Sequence, residues 1–244
     1  PHSPKPPTRS EYLSLLKERD TWLFCLFYGV TFGGFVGLVS FLPIFLRDQY
    51  GVSKVQAGDL TTLCVISGSF MRPLGGWLAD KLGGIRMLTV LYGVIVVLAL
   101  GLAQLPALSV ATLLLFLTLG CLGLGNGSVF QLVPQRFGKR VGVMTGIIGA
   151  AGGIGGFFLP TILGWLKQWT GSYANGLAVF AAISFVALIA LLFVQREWIG
   201  QWIGYRWWIG RRRKWVWQWI WRRRPWRRWR PIRRRRPSIR WRLA

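Results

Sequence analysis

Six apolar stretches, about Thr21 to Leu46, Leu60 to Ala79, Met87 to Leu105, Leu108 to Val133, Val141 to Leu166 and Ala174 to Val194, decide most of what this chain can fold into. Each holds about 19 to 26 residues, which at ~1.5 Å per residue crosses a hydrocarbon core ~30 Å thick. A soluble helical bundle would need polar faces that these stretches lack. The expectation is an all-α membrane protein of six transmembrane helices. Residues 1–20 form a Pro-rich lead-in that turns briefly amphipathic at Tyr12, Leu13, Leu15 and Leu16, 21–194 the bundle, and 195–244 an Arg/Trp-rich tail.

Charge fixes the orientation. Lys5, Arg9, Lys17 and Arg19 precede the first stretch, Lys81 and Arg86 follow the second, and Arg136, Lys139 and Arg140 follow the fourth, whereas the opposite connections carry only Arg47, Lys54 and Lys167. Cationic loops stay in the cytoplasm, so both termini are expected there. The formal charge of +24 is uneven, because 18 of the 31 Lys and Arg lie between Arg196 and Arg242. Such a tail could clamp anionic lipid headgroups or bind nucleic acid. Its abrupt compositional bias reads instead as a disordered segment, so nucleic acid is not an expected partner.

The chemistry available is narrow. His2 is the only histidine, and Cys25, Cys64 and Cys121 each sit in an apolar run without Cys-x-x-Cys spacing, so no metal centre or nucleophilic pair can be assembled. No phosphate-binding loop is present, no cofactor is expected, and nothing points to an enzyme. The chain opens at Pro1 without a cleavable signal pattern and reads as a piece of a longer protein.

The residue that most demands explanation is Arg72, in the middle third of the second stretch within Gly68-Ser-Phe-Met-Arg-Pro-Leu-Gly-Gly76. An arginine at that depth costs ~2.5 to 3.5 kcal/mol on insertion scales and usually faces a cavity and a partner. No acid within the six stretches can serve, and Gly68, Ser69, Gly75 and Gly76 leave its helix face small and open, so a small anion fits. A planar guanidinium offers parallel donors to an oxyanion and stays charged in low dielectric. Tyr28, Thr31, Phe32 and Phe35 share a face at α-helical spacing, setting a hydroxyl beside aromatic planes. Asn126 and Gln131, amides in the fourth stretch, need partners across helices. Gly29, Gly33 and Gly37 make a small-residue stripe, and Gly142, Gly146, Gly149, Gly153 and Gly156 make another that should press on a neighbouring backbone. The lack of Asp, Glu or His inside the stretches argues against a carboxylate proton relay in this part of the molecule.

Specific strings carry a resemblance. Gly76-Trp-Leu-Ala-Asp80-Lys81-Leu-Gly83-Gly84-Ile-Arg86 resembles the cytoplasmic loop motif of the major facilitator superfamily. Tyr28-Gly-Val-Thr-Phe32-Gly-Gly, Phe70-Met-Arg72-Pro-Leu-Gly-Gly and the Gly-rich run from Thr145 to Pro160 resemble its nitrate/nitrite porter family. The resemblance implies the seventh to twelfth helices of a twelve-helix transporter, the C-terminal half, moving nitrate or nitrite across a cell membrane. Arg72 would be one of two substrate arginines, with Tyr28, Phe32, Asn126, Gly149, Gly152 and Gly153 lining the site. Asp80, Lys81 and Arg86 would latch one face closed near Arg136, Lys139, Arg140 and the start of the fifth helix. The expected partners are the lipid bilayer and the missing N-terminal half, with a parallel second copy as the other arrangement the symmetry allows. Transport of another small anion, or a membrane-anchored cationic protein, are the rival readings.

Overall fold

In the computed structural model, which describes residues 9–201, helix accounts for nearly everything. His2, Lys5 and the Arg/Trp run from 202 onward lie outside the described residues. A short α1 (Arg9–Leu16) leads into a continuous rod made of α2 (Arg19–Tyr28), a π-helical segment (Gly29–Gly33) and α3 (Gly34–Tyr50). There follow α4 (Lys54–Leu82), α5 (Gly84–Ala103), α6 (Leu108–Phe137), a 3-10 turn (Gly138–Arg140), α7 (Val141–Thr170) and α8 (Ala174–Gln201).

Local chemistry sets the ends. Ser53 and Gln56 exchange hydrogen bonds of 3.2 Å in a capping box that starts α4. Gly51 and Gly171 stop α3 and α7 in the left-handed region, at φ 68° and 73°. Pro43, Pro73, Pro134 and Pro160 lie inside helices, as neighbouring helices permit in a membrane bundle.

Four stretches are long and apolar enough to cross a membrane: Arg19–Tyr50, Gly84–Ala103, Leu108–Thr170 and Ala174–Trp198. The third, of 63 residues, is two rods, since the chain reverses through the 3-10 turn between α6 and α7. The remaining rod, α4, has ample length but less apolarity, because it carries Lys54, Asp59, Arg72, Asp80 and Lys81 among small residues. Together these give the six membrane rods expected from the sequence, each longer than the apolar stretch that announced it.

The rods alternate in direction, as the contacts at their ends require. At one end Arg136 pairs with Asp20 and, at 3.3 Å, with Glu18, Arg140 pairs with Glu18 at 2.7 Å, and Arg19 meets Glu197 at 3.3 Å. At the other end the Tyr173 hydroxyl donates to Asp48 and the Tyr50 hydroxyl to the Pro106 carbonyl, both at 2.9 Å.

Close approach is made by glycine. Along the α4–α6 seam a methyl at Gly68 would strike Phe35 and the Leu119 carbonyl, one at Gly75 the backbone of Leu124, and one at Gly127 the Arg72 carbonyl. Gly68 and Gly75 therefore close α4 onto α6, and they do not form the open face beside Arg72 that spacing suggested. The first rod meets α7 in the same way, with a methyl at Gly33 falling 2.8 Å from the Gly155 backbone and one at Gly37 2.8 Å from Leu159.

Two other expectations change. On α7 the packed glycines are Gly152, Gly155 and Gly156, while a methyl at Gly142, Gly146, Gly149 or Gly153 would meet nothing within 4 Å. Beyond Val194, α8 runs on to Gln201 and inserts Trp198, 1% exposed, into the core against Phe24 and Phe27, with its Nε1 donating to Asp20 at 3.0 Å. The bundle thus takes in residues that composition alone assigned to the tail.

Candidate functional site

The second membrane rod places the Arg72 guanidinium over two rings of the first, its carbon 4.5 Å from the Phe35 centroid and 5.2 Å from that of Phe32. Among the described residues no carboxylate pairs with it, and its buried Nε has no hydrogen-bond partner. Aromatic faces attract the cation through their quadrupole without cancelling its charge, so the charge remains available to an anion.

Phe32 stacks on Tyr28 with ring centroids 5.0 Å apart and planes 3° from parallel, and Tyr28 in turn takes the edge of Phe130 from α6 at 4.9 Å. Gly152 of α7 lies flat against this pair, because a methyl there would fall 2.7 Å from Tyr28 and 2.9 Å from Phe32. Arg72, Tyr28, Phe32 and Gly152 are thereby gathered from three helices into one cluster. Phe35 and Phe130 join it; Phe35 had a signal in its spacing from Phe32, and Phe130 had none.

Asn126 is 3% exposed, and neither its amide nitrogen nor its oxygen has a partner. It stands one turn before Phe130, on the side of α6 that meets Tyr28, and next to Gly127, which packs on the Arg72 backbone. Arg72 and Asn126 thus each bury polar atoms without a partner, and an unmet buried donor or acceptor costs ~1 to 3 kcal/mol. Gly149 and Gly153 border open space beyond the packed Gly152.

Thr31 offers no free hydroxyl to the cluster: it donates to the Phe27 carbonyl at 3.1 Å, the back-bond that helical threonines make elsewhere in this chain, and its methyl sits against Gly125.

At the basic end Asp80 accepts from Gln131 Nε2 at 3.1 Å, and Lys81 caps the Trp77 ring at 3.5 Å. Arg86 is exposed in the first turn of α5. Arg136 and Arg140, which the sequence offered as neighbours for Asp80, are engaged by Glu18 and Asp20 at the entrance to the first rod. That acidic pair was missed because its partners lie more than a hundred residues away. Among the described residues no group of three or more His, Cys, Asp or Glu could hold a metal ion, and the three cysteines are free.

Comparison with known proteins places this geometry in context. The sequence profile of the Major Facilitator Superfamily matches residues 1–160. The chain is 37% identical over 186 residues to a nitrite extrusion protein of Bacillus subtilis, covering 76% of this chain and 46% of that protein. A probable nitrate transporter, NarT, of Staphylococcus epidermidis is 32% identical over 199 residues, with 79% and 50% covered. A probable nitrate/nitrite antiporter, NarK1, of Thermus thermophilus is 32% identical over 212 residues, with 77% and 48% covered. The chain spans about half the length of these curated relatives. Among solved structures, the proton:xylose symporter XylE bound to 6-bromo-6-deoxy-D-glucose superposes with a TM-score of 0.57 at 16% identity, over 76% of this chain and 45% of that one.

Proposed function

The chain belongs to the Major Facilitator Superfamily, and from that premise we propose that it forms the C-terminal six-helix half of a nitrate/nitrite transporter, with Arg72 as its anion-binding residue. The observation that carries the reading is an intramembrane guanidinium held by aromatic faces, not by a carboxylate, with its Nε, like the Asn126 amide one turn from Phe130, buried and unmatched. An oxyanion is matched to the donors, accepting from the guanidinium and from the amide nitrogen, and leaves only the Asn126 carbonyl oxygen for another donor. The named activities of the relatives, nitrite extrusion, nitrate transport and nitrate/nitrite antiport, support nitrate or nitrite as the anion.

In this mechanism Arg72 supplies charge and two parallel donors, Tyr28 a hydroxyl, and the stacked Phe32 a flat wall that excludes water and sharpens the electrostatics. Gly149 and Gly153 leave room beside the packed Gly152 for the anion and for a second six-helix half, which would contribute the remaining positive charge. Transport proceeds by rocking one half against the other about this midplane site. Asp80, Lys81 and Arg86 act at the cytoplasmic end as the latch of one state, and both termini lie on that side, where the positive loops cluster.

The test is nitrate uptake in a transport-deficient host expressing this chain with a six-helix N-terminal half from a nitrate porter. Uptake by the pair, abolished by Arg72→Ala and competed by nitrite, is expected. Uptake unaffected by Arg72→Ala refutes the assignment, and competition by phosphate but not by nitrite moves the substrate to another oxyanion.

A further inference from the structure

Two rings hold the Arg72 guanidinium, and the nearer of them stands outside the Tyr28–Phe32 stack. The guanidinium carbon lies 4.5 Å from the Phe35 centroid against 5.2 Å from that of Phe32, and Phe32 is already stacked on Tyr28. Phe35 is 6% exposed, so its face meets the cation away from bulk water. A cation over an aromatic face gains most where both are desolvated.

What lets the ring lie there is a residue of α4. A helical side chain leans back over the turn before its own, so the arm of Arg72 covers the helix surface near residue 68, four positions earlier. That position is glycine. A Cβ at Gly68 would fall 2.2 and 2.8 Å from two Phe35 ring carbons, so the ring takes the space that any side chain there would fill. Phe35 is thus wedged from the first rod between the bare backbone of α4 and the arm of its arginine. The same Cβ would lie 2.7 Å from the Leu119 carbonyl, because α6 closes on α4 at this level. The ring is therefore backed by main chain and not by a movable side chain.

An arginine arm is long, and holding it in one direction costs rotamer freedom. A carboxylate would fix the direction and neutralise the charge; a ring fixes the direction and leaves the charge. We propose that Phe35 is a positioning residue of the anion site: its face, seated on Gly68, holds the Arg72 guanidinium in place with its donors left for an oxyanion. Phe35 touches no substrate; it acts through Arg72. The proposal rests on the transport reading for its functional consequence, while the contact between ring and cation is open to a test of its own.

Replacing Phe35 with mono-, di- and trifluorophenylalanine nearly keeps the shape of the ring while draining negative charge from its face. In thermal unfolding of the whole purified chain, trifluorination is expected to lower the midpoint by about 2–4 °C more in the wild type than in Arg72→Met. An equal change in both backgrounds overturns the proposal. In the uptake assay with the N-terminal half, the nitrate KM is expected to climb with each fluorine to about tenfold, and to rise about as much in Phe35→Leu, with maximal rate per inserted protein within about twofold. Phe41→Leu is the control: its ring, equally buried on the same rod, meets Phe45 and Tyr173, and its loss should leave the KM at the wild-type value. A KM that stays flat across the fluorinated series, or that rises as much in Phe41→Leu as in Phe35→Leu, overturns the proposal, since lost packing alone would then account for the effect. Absence of wild-type uptake counts against the transport reading, and the comparison of midpoints then decides the ring contact by itself.

Discussion

Adding one methyl group to α7 at two adjacent glycines should have opposite consequences. A Cβ at Gly152 would fall 2.7 and 2.8 Å from two Tyr28 ring carbons and 2.9 Å from a Phe32 ring carbon, whereas one at Gly153 would meet nothing within 4 Å. Carbon atoms rest at about 3.5–4.0 Å, so Gly152→Ala must push the stacked pair or α7 aside by roughly 0.8 Å. Overpacking of this kind costs ~1 to 3 kcal/mol. Both substitutions gain a similar helix-propensity term of ~0.5 to 1 kcal/mol, which cancels between them. Gly152→Ala should therefore be less stable than Gly153→Ala by ~1 to 3 kcal/mol. For a chain of this size that is about 2–4 °C in midpoint per kcal/mol, measured by thermal unfolding of the purified chain in one detergent. Nitrate uptake by the reconstituted pair should also fall in Gly152→Ala, since the displaced rings are those beside Arg72. Equal midpoints, or the reverse order, would refute the placement of the Tyr28–Phe32 pair on Gly152 and with it the geometry of the proposed site.

Three further outcomes follow from other parts of the molecule. Arg72→Lys keeps the charge but loses the flat face over Phe35 and the paired donors, so uptake should fall at least tenfold without loss of membrane insertion; retention of full activity would mean that charge alone suffices. Ending the chain after Val194 instead of after Gln201 removes Trp198 from its stack on Phe24 and its bond to Asp20, and should cost ~3 kcal/mol in unfolding experiments; equal stability would show the bundle to be complete at Val194. Burial, the hydrogen bond to Asp48 and then the Asp48 charge push the Tyr173 phenol up to about 12. The folded state therefore favours the neutral phenol: its contribution is intact below the ordinary value of ~10 and is lost as pH rises from there through about 12. Tyr173→Phe should flatten the fall in stability across that window, and an identical fall in both proteins would disprove the assignment.

Much of this was legible in the chain before any coordinates, for identifiable physical reasons. Apolar length marks membrane rods because lipid leaves the backbone no alternative partner, and Arg72 stood out because a charge at that depth is costly. The Gly29, Gly33 and Gly37 stripe found its neighbour on α7 because spacing of four keeps residues on one helix face. Spacing failed where a helix offers more than one small-residue face. The run from Thr145 to Pro160 is so rich in glycine that its pattern fits several faces, and only packing selects Gly152, Gly155 and Gly156 over Gly142, Gly146, Gly149 and Gly153. Composition failed at Trp198, which resembles the tail that follows it yet belongs to the core.

Thr31 is the most instructive failure, because it changes the chemistry of the cluster and not only its outline. Gly29-Val-Thr-Phe-Gly33 carries no local mark of anything but α-helix, and at α spacing Thr31 would stand with Tyr28 and Phe32 as a hydroxyl donor. In the fold its methyl lies against Gly125 and its hydroxyl is committed to the Phe27 carbonyl four residues back, as threonine hydroxyls are at Thr61, Thr89, Thr112 and Thr118. The site loses a donor on that face and keeps the parallel rings and the guanidinium. The polar groups left beside the rings are the Tyr28 hydroxyl and, one turn from Phe130, Asn126, which is why the unmatched Asn126 amide weighs more in the structure than it could in the sequence.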